Sequence, residues 1–448
     1  MSKFLTGKGV RWAALACLVV PMFASYYFDD MFSTLSHLFD NPSLIELGWD
    51  SAGYGLYTGG YSVLCVFGGL VICGMLLDKW GVRVTGSIFV GMMVLGAALV
   101  TWAIRAGLPP KTSLAWAYAG CMLFGLGSEI AGVSVTRSIA KWFRGGPMAL
   151  AMGLQLAIAR LGTAFALVIS PRLVAAKAAG EVYTLAETSR PALLGMGLMA
   201  AGLAVWTVFV VLDAAFDRRQ KSSAPEGGGE EPFRFSDVWK LLTNKEFIAL
   251  ALLCVFFYSS IVSFKKFASA ILIPRFGIAP EAASWMVSML PFTTVIFAPL
   301  FGMMVDRTGK GTVWMLRGAV LALAAHLAMA FLPTGIPAAG YISMGCLGFA
   351  YSLVPAAMWP AVPRIVPQKV LGTAFALIYW VQNIGLMLFK MLAGEIFSSN
   401  SGDPMRGSHV TELMFVGVCI VALALTVFLR RASRAKPELG LDSPAARA

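Results

Sequence analysis

An acid and a base stand in two neighbouring apolar stretches where neither is expected. Glu129 lies in LAWAYAGCMLFGLGSEIAGVSVTRSIAKWF, which starts at Leu114, and Arg160 lies in MALAMGLQLAIARLGTAFALVIS, which starts at Met148. A short basic turn, Arg144-Gly-Gly-Pro147, joins them. Each arm is long enough to cross a bilayer of about 30 Å at about 1.5 Å per residue. Glu129 precedes Lys141 by 12 residues and Arg160 follows Pro147 by 13. Both therefore sit roughly 18–20 Å from the same face, near the midplane. An ionised side chain at that depth is costly unless it meets a partner or a wet cavity. The pair reads as the centre of a solute pathway, or as a Glu129–Arg160 or Glu129–Arg137 pair that neutralises itself between helices. Arg137, two turns nearer the basic turn, suits a structural or gating part.

Other polar residues in apolar sequence are fewer and more ambiguous. Tyr379, Trp380, Gln382 and Asn383 fall in mid-span; amides and aromatics there line a cavity or bond between helices. Trp359 lines the inner half of its span or belongs to the interfacial aromatic belt, and Tyr26 and Tyr27 carry the same two readings. A second charged layer comprises Asp29, Asp30, Lys265, Lys266 and Lys390, whose lysines either work in a pathway or snorkel outward.

Several chemistries find no support. His37, His326 and His409 are far apart and suggest no metal site. No nucleophile–base set shares a depth, so the chain does not read as an enzyme. Gly195-Met-Gly197-Leu-Met-Ala200 fits a dinucleotide fingerprint only by its letters, in mid-span with no strand before it. There is no phosphate-binding loop of the Walker type. No cofactor is expected.

The elements that must hold these residues are membrane helices. Of 448 residues, 58% are hydrophobic and 13% charged, with mean hydropathy +0.76; a soluble domain carries about twice that charged fraction. The net charge of +12 comes from basic residues in short turns between apolar runs, with no basic face of the kind nucleic acid needs. All seven cysteines lie in apolar segments without metal-ligand spacing. A window of about 19 residues finds twelve spans, near 11–36, 52–77, 84–105, 114–141, 147–172 and 192–216, then 246–273, 283–305, 312–332, 339–363, 369–397 and 410–430. The fold class is an all-α membrane protein of twelve transmembrane helices in two six-helix bundles, 1–216 and 245–431. A Gly/Pro/Glu-rich linker, 217–244, joins the bundles, and a polar tail, 432–448, follows. Arg11, Lys79, Arg83, Lys141, Arg218, Arg307, Lys310, Arg364 and Arg430 crowd one side, which makes both termini cytoplasmic.

One loop occurs twice. Gly74-Met-Leu-Leu-Asp78-Lys79-Trp-Gly81-Val-Arg83 follows span two, and Gly302-Met-Met-Val-Asp306-Arg307-Thr-Gly309-Lys310 follows span eight. Glycine permits close helix approach and a sharp turn. The aspartate can accept hydrogen bonds at a neighbouring helix N-terminus, and the basic residues anchor the cytosolic face. These loops resemble the signature of the major facilitator superfamily, whose two bundles rock about a central site. Phe124-Gly-Leu-Gly-Ser-Glu129, Gly153-Leu-Gln-Leu-Ala-Ile-Ala-Arg160-Leu-Gly, Tyr351-Ser-Leu, Trp359-Pro, Leu371-Gly-Thr-Ala-Phe and Gln382-Asn-Ile-Gly-Leu386 extend the resemblance to the branch that holds the animal lysosomal dipeptide transporter.

That resemblance implies a small-molecule carrier in a lipid bilayer, with dipeptides as cargo. Glu129 and Arg160 then hold the peptide's amino and carboxylate ends, because a zwitterion needs one fixed charge of each sign. Gln382 matches a family motif and lines the cavity with Tyr26, Trp359 and Trp380. Spans one and seven meet across the pathway in this architecture, so Asp30–Lys266 or a neighbouring combination forms an outer gate. Lys265, Lys266 and Lys390 depart from the animal branch, and their added positive charge makes a small organic anion the alternative cargo. At Glu129, desolvation favours the protonated carboxyl and Arg160 the carboxylate, so proton coupling and uniport both stay open. Monomers are usual for this architecture, and short termini suit a bacterial inner membrane.

Overall fold

The computed structural model describes residues 8–143, 147–178, 180–220, 241–367 and 370–443. Arg144 to Gly146, most of the linker (221–240) and the last five residues of the tail lie outside them, as do the side chains of Lys8, Val71, Asp78, Ala149, Arg219 and Gln220. The described elements are helical because a lipid-embedded backbone has to satisfy its amides internally. In order they are α1 (Lys8–Asp30), α2 (Ser51–Leu64), α3 (Leu70–Arg105), α4 (Pro110–Trp142), α5 (Met148–Leu173) and α6 (Arg190–Gln220). The second half has α7 (Lys245–Tyr258), α8 (Phe264–Phe276), α9 (Pro280–Thr308), α10 (Gly311–Phe331), α11 (Pro337–Ile365), α12 (Leu371–Ser399) and α13 (Pro404–Ala435).

Helix starts and stops follow local chemistry. Proline opens α4, α9, α11 and α13, where a missing N–H costs nothing. The Asn244 side chain accepts from the Phe247 N–H at the start of α7, and Asp403 does the same for Arg406 at α13. Phe67, Ile72, Val211 and Ile342 are among the most exposed large side chains, as lipid-facing positions should be.

Eleven of the described helices are long and apolar enough to cross a membrane. The remaining crossing is interrupted: a π-helical turn, Cys65–Gly69, separates α2 from α3, with non-helical backbone at Phe67 and Gly68. Two crossings expected from the sequence also run together in α3, where Gly81 breaks the helix at φ 73°. Its counterpart Gly309 ends α9 at φ 62°. Both repeat glycines thus turn the chain in a region that L side chains avoid. Gly74 and Gly302 have open space where a Cβ would stand, so neither is a point of close approach. The seventh crossing is α7 and α8 joined by a second π turn, Ser259–Ser263.

The chain forms two compact units: Met1–Met31 with Gly60–Val174 and Tyr183–Glu230, and Phe32–Gly59 with Ala175–Val182 and Glu231–Ala448. The segment between α1 and α2, and most of α2 itself, therefore pack with the C-terminal helices. Within that second unit Ser36 and Ser269 share a hydrogen bond of 2.8 Å, and Tyr54 meets Phe267 edge-on at 5.3 Å. Backbones touch where α2 crosses α12: a Cβ on Gly55 would stand 2.8 Å from the Lys390 carbonyl, and one on Gly394 2.8 Å from the Gly55 Cα. Only glycine fits both sides of that crossing.

Candidate functional site

In the first unit, α1, α4, α5 and the last turn of α2 bring the expected charges among hydroxyls and rings. The Tyr61 hydroxyl donates to Glu129 Oε1 at 3.2 Å and also lies 3.1 Å from Ser128 Oγ. Ser128 in turn bonds the Ser25 hydroxyl of α1. The carboxylates of Glu129 and Asp29 both lie close enough to act electrostatically on Tyr61. The Arg160 guanidinium stands over the Tyr26 ring, 5.9 Å from its centroid, a cation–π arrangement. Tyr26, Asp29, Glu129 and Arg160 are all half-buried rather than sealed. Tyr26 and Asp29 are three residues apart on α1 and so share its less-buried face.

Tyr27 behaves differently: it is fully buried and its hydroxyl donates to the Pro191 carbonyl at 3.3 Å. Asp30 is 1% exposed and accepts from Thr163 of α5 at 2.8 Å. Arg137 is half-buried, two turns from Glu129 on α4. Tyr61, Ser25 and Ser128 do not stand out in the sequence, because hydroxyl residues are common in apolar helices. Which of them meet is decided by helix packing. Replacing Tyr61 with Phe removes a donor from a carboxylate in a low-dielectric setting. Interhelical hydrogen bonds in membrane proteins are worth about 0.5–1.5 kcal/mol, so Tyr61→Phe should lower the melting temperature of detergent-purified protein by a few degrees. An unchanged melting curve would mean that the hydroxyl is not bonded.

The second unit gathers the expected aromatic and amide groups. Trp359 of α11 stacks on Tyr379 of α12 at 5.2 Å and donates through Nε1 to the Tyr258 hydroxyl of α7 at 3.0 Å. Tyr258 meets Tyr351 edge-on. Gln382 is buried and accepts from the Cys254 thiol at 3.4 Å, while Asn383 donates to the Tyr379 carbonyl. Trp380 is 37% exposed. Lys265, Lys266 and Lys390 are all buried, and the Lys390 ammonium donates to the Thr58 carbonyl at 3.3 Å.

The two copies of the repeat are finished in different ways. In the first unit Arg83 and Lys141 converge on two aspartates of α6. Lys141 reaches Asp213 at 2.8 Å and Asp217 at 2.6 Å, and Arg83 reaches Asp217 at 3.2 Å. Trp142 Nε1 also donates to Asp213. Lys79 is exposed. In the second unit Asp306 and Arg307 are exposed. The acid at the N-terminus of α10 is not Asp306, as expected from the repeat, but Asp442 from beyond α13, which accepts from the Thr312 N–H at 2.8 Å. Asp306 is the last but two residue of α9, and its place in that helix leaves the N-terminal amides of α10 to another acceptor.

Comparison with known proteins gives this geometry a family. The model of the Major Facilitator Superfamily matches residues 14–274 and 262–447. A lysosomal dipeptide transporter of Bos taurus is 28% identical over 397 residues, covering 86% of this chain and 77% of the relative. That of Danio rerio is 27% identical over 441 residues, covering 89% and 88%. Among solved structures, a bacterial homolog of the human lysosomal transporter Spinster, inward-facing and unoccupied, aligns with TM-score 0.69 at 15% identity over 98% of this chain and 100% of that one. A D-xylose-proton symporter aligns with TM-score 0.66 at 13% identity over 94% and 96%. At those identities the structures speak for the fold, two six-helix bundles, and the homologues are transporters rather than enzymes. The chain is a multi-pass membrane protein and belongs to the Major Facilitator Superfamily.

Proposed function

We propose that the protein carries dipeptides or similar zwitterions across the membrane by alternating access. The observation that carries this reading is the Glu129–Arg160 neighbourhood: two opposite charges on adjacent helices, both half-buried, lined by the Tyr26 ring and the hydroxyls of Tyr61 and Ser128. Glu129 takes the amino end and Arg160 the carboxylate; Gln382, Trp359 and Trp380 face the cargo from the C-terminal bundle. Relatives similar to this chain over most of their length are dipeptide transporters. Bundles 1–216 and 245–431 move about the cargo, with the linker 217–244 and both termini in the cytoplasm of a bacterial inner membrane, and one chain is sufficient. Asp30, Lys265, Lys266, Lys390 and Arg137 serve gating, and the two glycine-aspartate loops carry the conformational change.

The alternative, a small carboxylate moved with or without protons, leans on the extra lysines. Their burial, with Lys390 already bound to a carbonyl, favours the dipeptide. Proteoliposomes loaded with purified protein decide between the two. Labelled Ala-Ala should enter and labelled succinate should not, and excess unlabelled Ala-Ala should suppress the uptake. Uptake of succinate alone would replace the dipeptide reading with the carboxylate one.

A further inference from the structure

The chain does not stop at α13 but folds back. After Ala435 it makes a short 3-10 turn, Pro437–Leu439, then reverses at Gly440, whose φ is 62°. That reversal delivers Leu441 and Asp442 to the ends of three other helices. Leu441 is 3% exposed, with its carbonyl against Gly311. The Asp442 carboxylate accepts from the Thr312 N–H and hydroxyl and from the Ser433 hydroxyl, at 2.7–2.8 Å. Its carbonyl accepts from the Lys310 N–H at 2.9 Å. Arg364, at the end of α11, donates to the carbonyls of Gly440 and Ser443. Lys436 meets Glu246 of α7 at 2.7 Å, an exposed pair that adds little on its own.

The first unit explains why such a segment is needed. There α6 ends with Asp213 and Asp217, which receive Lys141 from the end of α4 and Arg83 from the repeat. The last helix of the second unit has Arg430, Arg431 and Arg434 near its end and no acid. Arg364 and the uncapped α10 N-terminus, led by Lys310 in a left-handed conformation, would meet only positive charge from α13. The returning segment reverses that. It brings one carboxylate and three carbonyls, those of Gly440, Asp442 and Ser443, to donors at the ends of α10 and α11, where the other unit uses the aspartates of α6.

We propose that Lys436–Ser443 is a regulatory clasp. It supplies from outside the helices the acid that α13 lacks, and its engagement or release sets how readily the ends of α9, α10 and α11 part. This adds regulation to the transporter reading but does not depend on which cargo is carried. The clasp is held by the Asp442 carboxylate, the carbonyls of Gly440, Asp442 and Ser443, the Arg364 guanidinium and one buried leucine.

Hydrogen exchange on full-length purified protein tests this without any cargo. In Asp442→Ala, amides 310–316 should exchange about tenfold faster than in the parent protein, since the carboxylate that caps the Thr312 N–H and holds the segment on the first turn of α10 is gone while the residue-442 carbonyl stays. Arg364→Gln should speed exchange in 440–443 to a similar extent. Ala361 is 3% exposed beneath the clasp, and the thiol of Ala361→Cys should react with N-ethylmaleimide about fivefold faster when Asp442→Ala is added. A chain ending at Lys436 serves as the second variant should Asp442→Ala fail to accumulate. Faster exchange together with faster labelling supports the clasp. Unchanged exchange in both single variants overturns it. Faster exchange with unchanged labelling leaves a mere cap and overturns the regulatory part. Absence of Ala-Ala uptake by the parent protein would count against the cargo and not against the clasp.

Discussion

Glu129→Gln should abolish uptake of Ala-Ala while leaving a folded, monodisperse protein. Gln retains an oxygen that can accept from Tyr61, so the local hydrogen bonding survives. What disappears is the charge proposed to face the peptide's ammonium in a low-dielectric setting. Removing one partner of such a contact costs about 2–4 kcal/mol, or roughly 30- to 1000-fold in apparent affinity. The mirror variant is Arg160→Gln, whose loss falls on the carboxylate end. The two are distinguishable by modified cargo. The parent protein should reject both N-acetylated and C-amidated Ala-Ala. Glu129→Gln should lose the preference for a free amine and keep that for a free carboxylate, and Arg160→Gln the reverse. Competition against labelled Ala-Ala in binding assays on detergent-purified protein reads both preferences. Parent-like uptake in Glu129→Gln would remove the amine contact from the scheme, even with Ala-Ala still the cargo.

The parts of this protein that can be read from its sequence are those where lipid makes a choice expensive. Long apolar runs specify helices because only a helix lets one segment satisfy all its backbone amides within itself in lipid. Charges within such runs draw attention because they need protection, which is why Glu129, Arg160, Asp30 and Lys266 stand out from the sequence alone. Hydroxyls have no such cost. Tyr61, Ser25 and Ser128 look like their neighbours in sequence, and only the packing of α1, α4 and the second crossing makes them one hydrogen-bonded chain.

Breaks within helices are equally silent. Cys65–Gly69 and Ser259–Ser263 carry no proline, yet both are π turns. The repeat loops are visible in the sequence, but not how they are completed. Asp213 and Asp217 look like ordinary end-of-helix charges beside Arg218, and Asp442 sits in what reads as a polar tail. Each becomes significant only when it is seen to face Lys141, Arg83 or Thr312. Membership of Phe32–Gly59 in the second unit is a third case. Its sequence does not say which helices it packs against, and the close crossing there rests on a pair of glycines, Gly55 and Gly394, lying far apart in sequence.

Asp213→Ala should be the most destabilising single change in the first repeat. The Asp213 side chain is 4% exposed and serves three groups: the Lys141 ammonium, the Trp142 indole N–H and, at 3.7 Å, the Arg83 guanidinium. Trp142 is 1% exposed, so removing its acceptor strands a buried donor. Breaking a fully buried ion pair costs about 3–5 kcal/mol. Here Lys141 and Arg83 are 33% and 40% exposed and keep Asp217, so about 2–3 kcal/mol is the better expectation. That corresponds to a fall of roughly 5–10 °C in the melting temperature of a domain this size. Asp217→Ala should cost distinctly less, because Asp217 is 28% exposed and leaves no buried donor behind. Asp213→Asn should fall between the two, keeping an acceptor for Trp142 but losing the charge. Thermal denaturation followed by size-exclusion chromatography in detergent gives all three values. If Asp213→Ala and Asp217→Ala melt together, the buried indole contributes nothing and the network is only a surface charge pair. If the order holds, the first repeat is anchored by a group below the surface, where salt should weaken it little.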